Sequence, residues 1–298
     1  MRFNENIAIS TSKVLLVPYD AHHVPRYHRW MEDAAIREAT ASERLTLEEE
    51  YENQVSWREA SDKLTFIICE PIAPAFNGDV DEHDNQSQQE QNHHHSNQKL
   101  DAPKVVAGIA DTPGRMVGDI NLFLTPWEDP EDDKETNGEI NGGTTTNNKE
   151  NQKTYCAAEI DIMIADQKHR GKGLGRATVA TFLLFIQRNL DGILSEYVEA
   201  SADAGKRGGN SSSSTPVLKE LVAKINVGNT GSIALFKSLG FRQRGDVNYF
   251  GEIEMVLEGF GAGVNDGDDG LSGEDAWAAA VRDDGYRELG YDRSRLEN

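Results

Sequence analysis

Cysteine is nearly absent: Cys69 and Cys156 are the only two in 298 residues, which excludes a disulfide framework and fits a reducing compartment. Long hydrophobic runs are missing too. None approaches the roughly 18 residues that a membrane span requires. The polar opening Met1-Arg2-Phe3-Asn4-Glu5-Asn6 is followed by no apolar stretch of the kind a secretory leader carries. The expectation is a soluble intracellular protein, cytoplasmic with the nucleus as the alternative, and without a membrane partner. Positive charge is also scarce, with 30 Lys and Arg against 51 Asp and Glu and a formal net charge of −21.

That negative excess is not spread evenly. Residues Asn77–Pro103 carry −5, Glu128–Thr154 −5 and Glu258–Asn298 −7, so three segments hold −17 of the −21. The remainder is near neutral, which argues against the basic face of a nucleic-acid binder and leaves an amine substrate acceptable. These segments, and a fourth at Ala202–Thr215 with Gly208-Gly209-Asn210 and four serines, have too little apolar surface to offset the entropy of ordering them. The expected organisation is one domain over 1–257 with disordered inserts at 77–103, 128–154 and 202–215. An acidic Gly/Asp-rich tail at 258–298 follows, and the acidic segments are read as solubilising.

Periodicity gives a mixed α/β layer in which helices cover a largely antiparallel sheet, parallel only around one crossover helix. Strands are expected at Lys13–Pro18, Leu64–Cys69, Val105–Ile109, Met116–Leu124, Ala157–Ile164 and Leu218–Asn226, with two more around Phe241–Arg244 and Glu252–Leu257. Helices are expected from Ala21 behind Asp20, and from the capping box Thr46-Leu47-Glu48-Glu49, with Leu47, Tyr51, Val55 and Trp57 as apolar contacts. Two more are expected at Leu174–Asn189 and Thr230–Leu239. Tyr27, Trp30 and Met31 at helical spacing read as core. In Ala157–Ile164, period two puts Glu159, Asp161 and Met163 on one face and Ile160, Ile162 and Ile164 on the other.

The chemistry concentrates after that strand, in His169-Arg170-Gly171-Lys172-Gly173-Leu174-Gly175-Arg176. A strand, a glycine turn and a helix N-terminus grip phosphate, because the first helical turn leaves amides unpaired and glycines admit the anion. The spacing excludes a Walker A loop, which needs Gly, four residues, then Gly-Lys-Ser/Thr. It also excludes a dinucleotide fingerprint, since the last position counted from Gly171 is Arg176. Arg170-x-x-Gly173-x-Gly175 resembles the acetyl-CoA pyrophosphate loop of the GNAT superfamily. A second block, Asn226-Val227-Gly228-Asn229-Thr230-Gly231-Ser232-Ile233-Ala234-Leu235-Phe236-Lys237-Ser238-Leu239-Gly240-Phe241, resembles the late Asn-x-x-Ser block of GNAT enzymes that acetylate ribosomal-protein N-termini. Met1–Asn6, Val24–Met31, Thr40–Glu48 and Gly118–Leu124 are similar to the N-acetyltransferase 9-like branch. The likeness runs from Met1 to about Leu257.

The resemblance implies the GNAT fold, with helices on both faces of a mixed, mostly antiparallel sheet, and acetyl-CoA as cosubstrate. It implies that strand Ala157–Ile164 splays from Leu218–Asn226 and that pantetheine lies in the gap near Met163 and Ile164. His169–Arg176 would hold the pyrophosphate, with Asn229, Ser232 and Phe236 as further contacts and a backbone donor polarising the thioester. A protonated amine must lose a proton before attacking, so a base is needed. Glu159 and Asp161 are the candidates, and Glu159 matches where related enzymes place a glutamate. The position where many members carry a Tyr acid is Phe236 here, which leaves that role to solvent or Tyr249. The acceptor implied is a protein α-amino group, and the branch suggests tubulin. A CoA-binding protein without catalysis and an acetyltransferase for small amines are the alternatives. No metal is expected: His93-His94-His95 reads as part of a solvated insert, and His22-His23 as local packing.

Overall fold

Short runs of β-branched and aliphatic residues form strands where period two allows burial, and the longer periodic segments form helices. The computed structural model describes residues 1–72, 103–127, 154–204, 215–260 and 273–296. The insert residues 77–102, 128–153 and 205–214, with the His93–His95 tract, lie outside the described residues.

In chain order the elements are β1 (Ile7–Ser10), β2 (Leu15–Pro18), a 3-10 turn (Ala21–His23) leading into α1 (Val24–Met31), α2 (Ala34–Ala39), α3 (Leu47–Glu59), β3 (Lys63–Cys69), β4 (Lys104–Val106), β5 (Met116–Pro126) and β6 (Tyr155–Ile164). Then follow α4 (Leu174–Ala204), β7 (Val217–Asn226), α5 (Thr230–Ser238), β8 (Arg242–Arg244), β9 (Glu252–Glu258), α6 (Gly273–Asp283) and β10 (Arg287–Asp292). All strands join one sheet in the order β4-β10-β1-β2-β3-β5-β6-β7-β9-β8. The pairs β6·β7 and β10·β4 are parallel and the others antiparallel.

Alternation in the strands splits the core in two. One face packs Phe66, Leu122 and Ile160 against Phe182 and Phe185 of α4, Phe236 of α5 and Trp277 of α6. The other packs Leu15, Ile67 and Met163 against Tyr27, Trp30 and Met31 of α1 and Ile36 of α2. The α1 aromatic stripe is therefore core, as expected, and the two faces of β6 separate as period two requires.

Four expectations need correction. First, Leu47, Tyr51 and Val55 of α3 are exposed, while Glu50 and Gln54 are buried. Polar chemistry sets the orientation of this helix. Gln54 Nε2 donates to the Tyr19 carbonyl at 2.9 Å and Arg58 donates to Asp20 Oδ1 at 2.7 Å, satisfying the chain end of β2 that a buried apolar face would leave unpaired. The Thr46 capping box and the Trp57 contact, edge-on to Phe123 at 5.8 Å, are present as expected. Second, α4 runs on to Ala204 instead of stopping near Asn189, because Ile193 and Leu194 continue its buried face. Third, β1 and α2 were not anticipated, being too short for periodicity to register.

Fourth, the acidic segment from Glu258 does not stay outside the fold. Strand β10 inserts between β1 and β4, in register Ile7↔Gly290 to Ser10↔Arg287. Trp277, expected to dock weakly or not at all, is a fully buried side chain of the core. Its neighbours Ala278 and Val281 are buried as well, so α6 presents an apolar stripe that the surrounding charge obscured. Trp277→Ala is expected to cost about 3–5 kcal/mol of stability, read as a lower urea midpoint with an unchanged slope.

Asp111 locks this C-terminal strand to the N-terminal region. The ring Nε2 atoms of His22 and His23 each lie 3.1 Å from its Oδ2, the Tyr291 hydroxyl of β10 donates to the same oxygen, and Gly108 N donates to Oδ1 at 2.6 Å. Burial alone would raise this carboxyl's pKa. The donors from His22, His23 and Tyr291 outweigh that and hold it well below the usual carboxylate range. The three residues are close enough to suggest a metal site, but Asp20 N donates to His23 Nδ1 at 3.0 Å. The His23 proton therefore sits on Nε2, facing Asp111, and leaves no lone pair there for an ion.

Candidate acyl-transfer site

The parallel pair β6·β7 is joined only in its first half. Pairing runs from Tyr155↔Val217 to Glu159↔Val222. Beyond that point β6 is bonded to β5 as far as Gly118↔Ile164 and β7 to β9 as far as Asn226↔Glu252. The two strands splay at their C-terminal ends, where ligands enter open α/β sheets. Gly118 is required at this point, because a Cβ there would sit 1.8 Å from the Met163 carbonyl oxygen.

The glycine loop lies at the mouth of the splay. Gly171 and Gly173 have φ of +71° and +78°, a region that side chains disfavour, and a Cβ at either would meet nothing within 4 Å. The first i→i−4 bond of α4 is Ala177 N to Gly173 O, so the amides of Leu174, Gly175 and Arg176 precede the helical ladder and carry the positive end of the helix dipole. An open glycine bend, free amides and exposed Lys172 and Arg170 fit a pyrophosphate. Gly175 has a separate reason: its Cβ would fall 2.9 Å from Leu235 Cδ1, so glycine lets α4 and α5 touch. Arg176 Nε donates to Ser238 Oγ at 3.1 Å across the same contact. Thus the two sequence motifs, distant in the chain, share one corner.

Several of the residues singled out also hold the surrounding fold in place. Arg170 Nε donates to the Ile164 carbonyl at 2.7 Å, tying the loop to the end of β6. His169 lies between Glu70, at 3.3 Å, and Asp166. Asn229 caps α5 by accepting from Ser232 N at 3.1 Å, so both residues shape the helix start. Met163 is buried against α1 and reaches the splay through its backbone. Phe236, expected to touch the cofactor, is 2% exposed and packs edge-on against Phe241 at 5.0 Å. Its side chain belongs to the core cluster. Tyr249 is 97% exposed between β8 and β9.

The two acids on β6 differ in their surroundings. Glu159 is held by Lys224 Nζ of β7 at 2.6 Å, and this bond is the largest cause raising the Lys224 pKa. Asp161 is solvent-accessible, yet enough protein surrounds its carboxyl to desolvate it. Together with repulsion from Glu159, that pushes its pKa up to about 6. Lys224 was not foreseen: a lone lysine in a strand carries no sequence signal of its partner. Nor were Asp119 and Asn121 of β5, whose alternation inside an otherwise apolar strand was the available clue. Asn121 stands directly across from Asp161 in the β5·β6 register.

Among the described residues no helix is long and apolar enough to cross a membrane. The acetyltransferase (GNAT) domain family matches residues 13–242. The chain is 35% identical over 257 residues to alpha/beta-tubulin-N-acetyltransferase 9 of Drosophila melanogaster, covering 86% of this chain and 88% of that one. The Homo sapiens protein of the same name is 32% identical over 259 residues, covering 86% of each. An N-acetyltransferase 9-like protein of Schizosaccharomyces pombe is 31% identical over 258 residues, covering 86% and 98%. A splayed parallel pair with an open glycine loop at its mouth agrees with all of these matches, and the chain belongs to the GNAT acetyltransferase family, whose cosubstrate is acetyl-CoA.

Proposed function

We propose that this acetyltransferase acts on a protein N-terminal α-amino group, with tubulin as the first acceptor to try, and that Asp161 takes the proton from the amine. The acceptor reading is supported by the Drosophila melanogaster and Homo sapiens relatives, whose names specify α/β-tubulin. The observation that carries the base assignment is the position of Asp161 on the first stretch of β6 that β7 no longer covers. A carboxyl with a pKa near 6 is ionised at neutral pH and close enough to it to exchange a proton with the amine, whereas an oxygen of Glu159 is already taken by Lys224.

The thioester of acetyl-CoA supplies the acyl group. Loop amides 174–176, with Arg170 and Lys172, hold its pyrophosphate, and the splay admits its arm. An ammonium entering from the α1 face gives one proton to Asp161. Its nitrogen then forms the N–C bond as the C–S bond breaks. The second nitrogen proton reaches the departing thiolate through solvent, and Asp161 releases its proton to water, so one proton is produced per turnover. No acyl-enzyme is required.

The test is thiol release and acetyl mass gain with acetyl-CoA and a peptide bearing a tubulin N-terminus, beside spermidine as a small amine. Acetylation of spermidine alone would move the acceptor to small molecules, and acetyl-CoA binding without any transfer would point to a non-catalytic role. Asp161→Asn is expected to lower kcat by about 100-fold or more while leaving acetyl-CoA affinity unchanged. A rate equal to the parent would return the base to Glu159 or water.

A further inference from the structure

Behind Asp161, on the sheet face that packs against α1, lies a polar pair that the reaction as derived does not use. Asp119 and Asn121 are 2% and 5% exposed. Asn121 Nδ2 donates to Asp119 Oδ2 at 2.8 Å, and the Tyr27 hydroxyl of α1 also bonds Asp119. The remaining oxygen of each, Asp119 Oδ1 and Asn121 Oδ1, is buried without a donor. Two buried acceptors left without a donor are costly in a low-dielectric interior. A single proton added to the carboxyl would supply a donor where the pair has an excess of acceptors.

We propose that Asp119 is a positioning residue held as the neutral carboxylic acid, its Oδ1–H donating to Asn121 Oδ1, and that the loss of this proton strengthens Asp161 as a base. The inference rests on the reading of Asp161 given above. The groups facing Asp119 are Asn121 on its own strand, Asp161 from β6, Tyr27 from α1 and the Tyr19 hydroxyl beyond β2. Those facing Asp161 are Glu159, Lys224 of β7 and Glu252 of β9. Burial is the largest cause raising the Asp119 pKa to about 7; the Asn121 bond opposes it and the Asp161 charge adds to it. Asp161 therefore ionises first and Asp119 second, each site feeling the other. Once Asp119 has lost its proton to solvent, a second negative charge stands behind Asp161 and makes it a stronger acceptor for the amine's proton. A neutral buried acid that tunes a neighbouring group is a recurrent device in active sites.

Two measurements test this on the full chain. Infrared spectra near pH 6.5 should show a protonated-carboxyl band that fades as pH rises through about 7 and is missing in Asp119→Asn. A water bridging the two oxygens would leave Asp119 ionised and the band absent, which overturns the proposal. Under saturating peptide, kcat should rise in two steps with pH, near 6 and near 7. Asp119→Asn should keep the lower step and lose the upper one. A uniformly lowered profile of unchanged shape means a merely structural role and also overturns it. Should Asp119→Asn fail to fold, Tyr27→Phe removes a donor that favours ionised Asp119, and the band must then persist to higher pH. The infrared result does not depend on the acceptor, so a wrong acceptor and a wrong proton remain distinguishable.

Discussion

Gly173→Glu is expected to abolish acetyl-CoA binding, raising Kd by at least about 100-fold, which corresponds to roughly 2.7 kcal/mol. The substitution places a carboxylate at the start of α4, beside the amides of Leu174, Gly175 and Arg176, where the bound pyrophosphate needs both the donors and the space. The fold should survive. A Cβ at Gly173 meets nothing within 4 Å, and the φ of +78° adds strain of about 1–2 kcal/mol for any side chain. Gly173→Ala carries the same strain without the charge, so calorimetric titration of the two variants separates backbone from electrostatic effects. Parent-like affinity in Gly173→Glu would remove the loop from the cofactor site.

Asp111→Asn should destabilise the protein by about 3 kcal/mol or more, because hydrogen bonds to a charged acceptor are worth about 1.5–3 kcal/mol each and a buried donor left unpaired adds its own cost. The amide cannot accept on both sides from His22, His23, Tyr291 and Gly108. Acidification should reveal the same interaction. The folded pKa of Asp111 lies well below its unfolded value of about 3.9, so its contribution is full above that pH and declines progressively as pH falls toward the folded pKa. The gap in urea midpoint between parent and variant should therefore narrow from pH 7 to pH 3 without closing. A constant gap across that interval would mean that the carboxylate's charge is not what joins the termini.

The glycine loop and its strand were legible because few residue patterns combine a strand, three glycines and two cations, and because Glu159, Asp161 and Met163 alternate cleanly. The α3 face was misread for a physical reason. Leu47, Tyr51 and Val55 have helical spacing, but the backbone at Tyr19 demanded donors, and Gln54 and Arg58 supply them from the opposite side. Charge misled the reading at the C-terminus. Acids at Asp283, Asp284 and Asp292 flank the buried Trp277 and Tyr291, and a net charge sums over a segment without saying which side chains face inward. Phe236 was placed by a family pattern, and the packing of its ring against Phe241 is the part that only the structure supplies. Lys224 gains its role only from a pairing with Glu159 across strands, which no local window contains.

The position of β10 has a consequence for how the chain is made. Pairing Ile7 with Gly290 closes a very long loop, the kind of contact that slows folding because its entropy is lost before its bonds form. During synthesis β1 emerges well before β10 and waits, with that edge unpaired, until residue 292 has followed. An open strand edge invites pairing with another nascent chain. The interval between the emergence of β1 and of β10 is therefore one in which that edge is open to other chains, and chaperone demand is expected to fall there.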